Sequence, residues 1–174
     1  ILNTKTPKGT LIKLLGGEPF LVFPKIKKLC ESIWEQKQID NVLFHATSNG
    51  TLIHGFIKDW LLANRHRFTI KLSLDGNKKA NNINRPGSFD KIDIDFFKDA
   101  WPEVGIKMTI SPQNITYFAD SIMFLHQIGF KNIKPNFAEF VDWNQMDLIR
   151  AFYRQMMELV DFYLDNPHIT PCKY

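Results

Sequence analysis

The sequence predicts an α/β fold in which parallel strands alternate with helices within one domain. Short apolar runs rich in β-branched residues alternate with longer segments of helical period. The starts of successive runs lie 31, 27, 37 and 26 residues apart, which is the spacing of right-handed βαβ units. No linker or low-complexity segment divides residues 1–174, so we expect a single domain.

The predicted strands are the five apolar runs. They cover residues 10–15, 41–47, 68–74, 105–110 and 131–137. Five units are too few to close an eight-stranded barrel, which needs roughly 250 residues. An open doubly wound sheet and a segment of a larger barrel both remain possible, and in either one ligands bind at the carboxyl ends of the strands.

The predicted helices occupy the intervening segments and carry boundary signals. Pro24 falls in a first turn, Asn114 or Thr116 is a candidate N-cap, Gly129 follows a helix, and Pro167 ends the last one. The segments are 23–37, 52–65, 88–101, 114–129 and 144–166.

Apolar residues recur every three or four positions in the last predicted helix. Such a stripe is more typical of a helix packed on a core than of a cofactor surface. The stripe consists of Leu148, Phe152, Met156, Leu159 and Tyr163.

Composition argues against several classes of protein. A net charge of +4 and an isoelectric point near 9.0 come from scattered lysines and arginines, which indicates a solvated surface and no nucleic-acid partner. There is no signal peptide and no apolar stretch of about 18 residues, so we expect neither secretion nor membrane spanning. Two cysteines 142 positions apart form no disulfide framework and favour a cytoplasmic location.

The histidines do not predict a metal site. His45, His54 and His126 have no mutual ligand spacing, so we interpret them as packing or surface residues. His168 and Cys172 lie four residues apart near the end of the chain, and two ligands make a poor site. The sequence therefore predicts no metal ligands.

Three consecutive predicted strands end in glycine beside small polar or acidic side chains. Glycine lets a ligand approach the backbone, and the carboxylates of Glu18 and Asp75 suit an ammonium group or ribose hydroxyls. Ordinary strand-to-helix turns remain the alternative, because they use the same residue types. The three stretches are GGEP at 16–19, TSNG at 47–50 and SLDG at 73–76.

The stretches "LLGGEPF", "TSNGTLI" and "IKLSLDGNKKANNINRPGSFDKI" together resemble the radical S-adenosylmethionine enzymes. The similarity is greatest to the subgroup with a C-terminal cysteine-rich (SPASM-type) domain, which includes sulfatase-maturing and peptide-modifying enzymes. The resemblance implies a partial (β/α)6 barrel, of which this chain would supply strands two to six. It also implies S-adenosylmethionine and a [4Fe–4S] cluster as cofactors.

The resemblance implies roles for the first two strand ends. In the family the GGE element, here Gly16, Gly17 and Glu18, binds the amino group of the methionine moiety. Ser48 and Asn49 match an element beside the cofactor in which threonine is the usual first residue.

The third strand end matches positions near the other end of the methionine. Ser73 and Asp75 correspond to residues close to the ribose and the methionine carboxylate. Arg85 corresponds to an arginine that pairs with that carboxylate, a role that suits the two parallel donors of a guanidinium.

The family's CxxxCxxC cluster motif is missing from the sequence. We interpret Cys30 as a core thiol on a helix and Cys172 as a free thiol in the tail. We therefore expect a piece of a longer protein that lacks the cluster segment and is inactive alone, whereas the intact parent would cleave S-adenosylmethionine reductively and modify a peptide or protein. The alternative is a non-catalytic nucleotide- or peptide-binding module that lacks the cluster by nature.

The resemblance places a peptide substrate at the mouth of the barrel, which the late strand ends line. Ser111, Pro112 and Gln113 follow the fourth strand. After the fifth, Asn136 and Glu139 would hydrogen-bond the peptide backbone while Phe137 and Phe140 pack against it. Alternatively, the aromatic residues simply cover the rim against the final helix.

The edge of the first strand is expected to lie exposed, because its missing neighbour would pair there. The sequence therefore predicts association through this edge, or poor solubility.

Overall fold

A computed structural model describes residues 9–36 and 41–173, and it confirms the α/β fold with one parallel sheet. The strands are β1 (Thr10–Leu14), β2 (Val42–Ser48), β3 (Phe68–Ser73), β4 (Gly105–Ile110) and β5 (Asn132–Phe137). Their spatial order is β1-β2-β3-β4-β5, and every neighbouring pair is parallel. A strictly sequential order is that of a barrel segment, whereas a doubly wound sheet reverses its order at a switch point.

Six helices connect and follow the strands in the described residues. They are α1 (Phe23–Trp34), α2 (Gly55–Ala63), α3 (Lys78–Asn84), α4 (Ile94–Ala100), α5 (Phe118–Gln127) and α6 (Met146–Asp165). Single 3₁₀ turns cover Pro19–Val22, Phe89–Lys91 and Ile115–Tyr117. Within the described ranges, no helix is both long enough and apolar enough to cross a bilayer.

One face of the sheet carries the hydrophobic core. Phe44, Phe68, Leu72, Ile106 and Met108 alternate along the strands and are at most 1% exposed. Register pairs place them side by side, because Phe44 opposes Phe68 and Leu72 opposes Ile106. We call this helix-covered face the outer face. Because side chains alternate along a strand, the residues between these core residues point to the opposite, inner face.

The boundary signals meet with mixed outcomes. Pro24 lies in the first turn of α1 and Pro167 follows the end of α6, as predicted. Gly129 ends α5 with a φ of 102°, and the next residue's N–H donates to the Leu125 carbonyl at 3.0 Å, which is a Schellman motif. Asn114 lies at the N-cap position of the 3₁₀ turn that leads into α5, but its side chain makes no capping bond, because it accepts from the Ser111 N–H. Thr116, the other candidate, lies inside that turn, and α5 itself starts at Phe118.

Helix α3 is absent from the sequence prediction. Its residues, KKANNIN, are rich in asparagine, which has a low helix propensity. The structure forms it because the Asn77 side chain caps the first turn by accepting from the Ala80 N–H at 3.0 Å. An N-cap asparagine before "KKA" was the available signal.

The last helix packs as predicted. Leu159 is in the core, and the other four residues of its stripe pack against it. Cys172 is a free thiol, as predicted, but it is buried. Its N–H donates to the Tyr163 hydroxyl at 3.0 Å, which holds the tail against α6. The next residue, Lys173, donates to the Ile133 carbonyl, so the tail lies along β5.

Candidate functional site

A polar cavity of about 340 Å³ lies at the carboxyl ends of β1 to β4. Most of the predicted cofactor residues line it, namely Gly16, Gly17, Glu18, Asn49, Ser73 and Arg85. Ser48 and Asp75 lie behind this lining and are 1% and 0% exposed. The three strand ends therefore meet at one cavity.

Glu18 joins the ends of β1 and β2. Its Oε1 accepts from the Phe20 N–H at 3.2 Å and from the Ser48 hydroxyl at 2.9 Å. Its Oε2 accepts from the Asn49 N–H at 2.8 Å. A carboxylate has about four acceptor sites, so Oε2 retains one for a ligand donor.

The turn after β2 is rigid because its own residues close it. The Ser48 hydroxyl accepts from the Gly50 N–H at 3.0 Å, and the Asn49 side chain accepts from both the N–H and the hydroxyl of Thr51. These bonds form an Asx turn, which holds the Asn49 N–H toward Glu18.

The glycines at the strand ends serve two different purposes. A Cβ added at Gly16 or Gly17 would meet nothing within 4 Å, so that backbone is open to a ligand. At Gly50, φ is +76° and a Cβ would lie 2.9 Å from Leu72. At Gly76, φ is +120° and a Cβ would lie 2.2 Å from the Ser121 hydroxyl. The prediction that glycine admits a ligand thus fits the first pair only, because the other two accommodate tight core packing.

Asp75 is fully buried and holds Arg85. It accepts from the Arg85 Nε at 3.0 Å and Nη2 at 3.3 Å, from the Asn84 amide at 3.1 Å and from the Thr109 N–H at 2.8 Å. These four bonds occupy its acceptor sites, so the ribose contact suggested by its carboxylate has no free oxygen lone pair. Asp75 instead orients Arg85, whose side chain is 26% exposed and lines the cavity.

A network of side chains supports this ion pair. The side-chain oxygen of Asn84 accepts from the Ser111 hydroxyl at 2.7 Å, and its side-chain amide also donates to the backbone carbonyl of Thr109. The Asn114 amide donates to the same carbonyl. Ser111, predicted at the substrate mouth, therefore belongs to the support of Asp75.

The cavity separates opposite charges. Glu18 lies on the β1 side, whereas Arg85 and Lys107 lie on the β3 and β4 side. Lys107 and Thr109, which no sequence motif includes, also line the cavity, as does Thr47 of the TSNG stretch. Their signal is the period-two alternation of β2 and β4, which places them opposite the buried residues.

The predicted substrate residues lie outside this lining. Asn136 is exposed and donates to the Lys134 carbonyl at 3.0 Å, and Glu139 is exposed as well. Phe137 packs against Trp143 and Phe152, with ring centroids 4.9 and 5.1 Å away. That packing supports the rim-covering alternative for Phe137.

Phe140 is fully exposed at 105% and adopts a positive φ of 59°. An apolar cavity of about 310 Å³, which Phe140 does not line, lies against α6. Its lining residues are Ile115, Phe137, Trp143, Leu148, Ile149 and Phe152.

Neither the histidines nor the cysteines form a metal site in the described ranges. No group of three or more potential metal ligands occurs there. Cys30 is completely buried, and burial raises the pKa of its thiol to about 12, so it stays protonated. His45 contacts Thr69, and His126 contacts the Phe130 carbonyl and the Tyr163 hydroxyl, so both are packing residues. These residues do not fit a [4Fe–4S] cluster, which needs several accessible thiolates.

The fold is shared with solved structures. Native anSMEcpe with bound AdoMet superimposes with a TM-score of 0.76 at 20% identity, over 98% of this chain and 51% of that one. Native anSMEcpe with bound AdoMet and Cp18Cys peptide gives 0.75 at 20% identity, over 98% and 52%. The complex with Kp18Cys peptide gives 0.74 at 19% identity, over 98% and 51%.

These likenesses define the class of fold, that of the AdoMet-bound anSMEcpe core. The chain spans about half the length of those proteins. No protein-family model and no curated protein matches the sequence. The sequence motifs and the structural likeness therefore agree on the fold.

Proposed function

We propose that this chain binds S-adenosylmethionine (AdoMet) in the polar cavity. The observation that carries the proposal is the separation of one carboxylate from two cations across that cavity. AdoMet carries an ammonium and a carboxylate on the same carbon, so it complements both sides at once. The solved structures with this fold are complexes with AdoMet.

Six of the eight predicted residues, together with Lys107, have a specific part in this binding. The spare acceptor site of Glu18 Oε2 would take the ammonium, and Arg85 and Lys107 would take the carboxylate. The open backbone of Gly16 and Gly17 leaves room for the methionine chain. Ser48 and Asp75 act one step removed, because they orient Glu18 and Arg85.

For the whole protein we propose an enzyme of the radical S-adenosylmethionine type that modifies a peptide. The family motifs at the three strand ends and the peptide complexes of anSMEcpe support this proposal. The described residues offer no cluster ligands, so we derive no reaction step from them and expect the isolated chain to form no 5′-deoxyadenosine.

Calorimetric titration with AdoMet tests the binding proposal. We expect weak affinity, in the millimolar range where about 4 kcal/mol is available. Glu18→Gln and Arg85→Ala should abolish the heat, whereas the exposed Glu35→Gln and Arg150→Ala serve as controls with matched charge changes. Micromolar binding that survives both site changes would place the pocket elsewhere.

A non-catalytic nucleotide-binding module is the second candidate, favoured by the missing cluster ligands. Adenosine and methionine, titrated separately, distinguish the two. The proposed site requires methionine to compete with AdoMet in the wild-type chain and Glu18→Gln to abolish the binding of methionine itself. A nucleotide module would instead bind adenosine alone, with no effect of Glu18→Gln.

We also propose association through β1. Among the described residues, β1 pairs with β2 on one side only. The Thr10 N–H donates to the Asn41 carbonyl, so the alternate N–H groups of Leu11 and Lys13 point away from β2. Leu11→Pro removes an outward donor without removing a bond to β2, and it should shift a concentration-dependent oligomer to monomer in light scattering. A wild-type chain that is monodisperse and monomeric would contradict this proposal.

A further inference from the structure

The inner face of the sheet, opposite the core, carries a row of lysines. The row consists of Lys13 on β1, Lys71 on β3, Lys107 on β4 and Lys134 on β5. The last three alternate with buried residues of their strands, and Lys13 alternates with half-buried ones. Because side chains alternate between faces, all four lie on the inner face, together with His45 of β2. We call the four lysines the lysine row.

The strand register sets the spacing of this row. Lys13 pairs with His45, which pairs in turn with Thr69 two residues before Lys71, and Lys107 pairs with Lys134. Lys71 pairs with Gly105, which lies two residues before Lys107 on the same face. Neighbouring strands are about 4.8 Å apart, so the row crosses the sheet diagonally, with His45 in place of a lysine on β2.

The absence of a side chain at Gly105 leaves room for the Lys71 side chain. A Cβ at Gly105 would lie 3.2 Å from the Lys71 Cε and 3.7 Å from its Cγ, so the lysine stem lies across the glycine. The charged end of Lys71 is thereby directed along the sheet toward the β5 side, where the Asn132 amide lies 3.5 Å from the same point.

No carboxylate balances this row. The five strands contain neither aspartate nor glutamate. None of the four lysines takes part in an ion pair within residues 9–36 and 41–173. The two carboxylates at the strand ends, Glu18 and Asp75, already accept three and four hydrogen bonds.

The lysines of the row act on one another and on His45. Burial lowers the pKa of Lys71, and Lys134, Lys107 and Lys13 lower it further. Burial also lowers the pKa of His45, with Lys71 and Lys13 adding to the effect. Like charges on neighbouring strands destabilise a sheet, so an anionic ligand would relieve an unfavourable interaction.

We propose that the lysine row binds a carboxylate-rich segment of a peptide, so that the substrate of this site is acidic. The proposal rests on the proposed function and deepens it, because Lys107 belongs both to the row and to the AdoMet cavity. A peptide bound along the row would therefore reach the cofactor.

The other residues of the inner face favour a peptide over a nucleic acid. Threonines and asparagines occupy most positions around the row and can bond a peptide backbone, whereas Leu11 and Leu43 form an exposed apolar pair beside Lys13 and His45. No phenylalanine, tyrosine or tryptophan occupies an inner-face position of β1 to β5, so there is no platform on which bases could stack. The surrounding threonines and asparagines are Thr47, Thr69, Thr109, Asn132 and Asn136.

Fluorescence anisotropy with a labelled ten-residue Glu-Gly peptide tests the proposal, and a Gln-Gly peptide is the control. The acidic peptide should bind, and its affinity should fall on the order of tenfold between low and physiological salt, because exposed charges are screened. The triple change Lys13→Gln, Lys71→Gln and Lys134→Gln should weaken binding by on the order of tenfold. A matched triple change on the outer surface, at Lys25, Lys28 and Lys131, should change it less than about twofold.

The inner triple variant also separates this proposal from the proposed function. It keeps Lys107, Glu18 and Arg85, so AdoMet should bind it as it binds the wild type. Loss of peptide binding with AdoMet binding retained supports the lysine row. If neither the wild type nor any variant binds AdoMet while the wild type still binds the acidic peptide, the proposed function is overturned and the lysine row is not.

Three results would overturn the lysine row. They are equal binding of the glutamine peptide, equal loss in the outer triple variant, and tighter binding of tripolyphosphate or a ten-residue oligothymidine than of the acidic peptide. Circular dichroism confirms folding of each variant, and the single exposed change Lys134→Gln provides a fallback if the triple variant unfolds.

Discussion

The two faces of one sheet differ as sharply as any two regions of this protein. On the outer face Phe44, Phe68 and Leu72 are completely buried under helices. On the inner face the intervening positions hold His45, Thr69 and the lysine row. Residues adjacent in sequence therefore have different roles. Those on the outer face stabilise the fold, and those on the inner face are available for ligands.

The largest expected difference is between neighbours on β2. Phe44→Ala should lower the free energy of unfolding by about 3–5 kcal/mol, because it leaves a cavity beside Phe68 and Trp34. His45→Ala, one residue away on the inner face, should cost less than about 1 kcal/mol. Urea unfolding of both variants measures the contrast. Equal losses would mean that the inner face also stabilises the fold.

A smaller effect is expected at Asp75, the carboxylate buried behind the lining of the cavity. Asp75→Ala should cost about 2–3 kcal/mol, because it leaves Arg85, Asn84 and the Thr109 N–H without their acceptor. Asp75→Asn keeps part of this bonding and should cost less. Thermal unfolding with AdoMet titration checks both variants, and binding that survives Asp75→Ala would show that Arg85 needs no orienting partner.

Two glycines are expected to differ in their effect on the free energy of unfolding by up to about 1 kcal/mol. Gly129→Ala should destabilise by about 1 kcal/mol, because its φ of 102° is strained for alanine. Gly17→Ala should change stability by less than about 0.5 kcal/mol, because the added methyl meets nothing, but it should weaken AdoMet binding. Chemical denaturation and calorimetry separate the two effects.

The smallest expected effect is a dependence on pH. Burial lowers the pKa of both His45 and His126 in the folded state, so the unfolded chain binds more protons once the pH falls below about 6.5. Stability should therefore decrease on acidification through that range, and His45→Gln should reduce the decrease.

Salt distinguishes the two histidines. Lys71 and Lys13 contribute to the shift at His45, whereas no lysine contributes at His126. Added salt should raise the pKa of His45 and leave that of His126 nearly constant, as followed by proton NMR of the imidazole rings. Equal responses would mean that the lysine row exerts no field at His45.

Local patterns were sufficient for the strands and the first half of the site. Each predicted strand agrees with the structure to within one residue at either end, because apolar runs of four to seven residues suit a sheet buried on one face. Glu18 was recognised from its position after two glycines at a strand end, and it lies in the cavity as predicted. Helix α3 was not predicted, because its asparagine-rich segment shows no apolar periodicity.

By itself the sequence determined the α/β class, the positions of its strands and the three strand ends that line the cavity, because these depend on local periodicity and on glycine. Only the tertiary structure decided that Asp75 faces Arg85, that Gly50 and Gly76 accommodate core neighbours, and that four distant lysines lie in one row. Those outcomes depend on strand register and on side-chain contacts between residues far apart in the chain, and no local pattern encodes them.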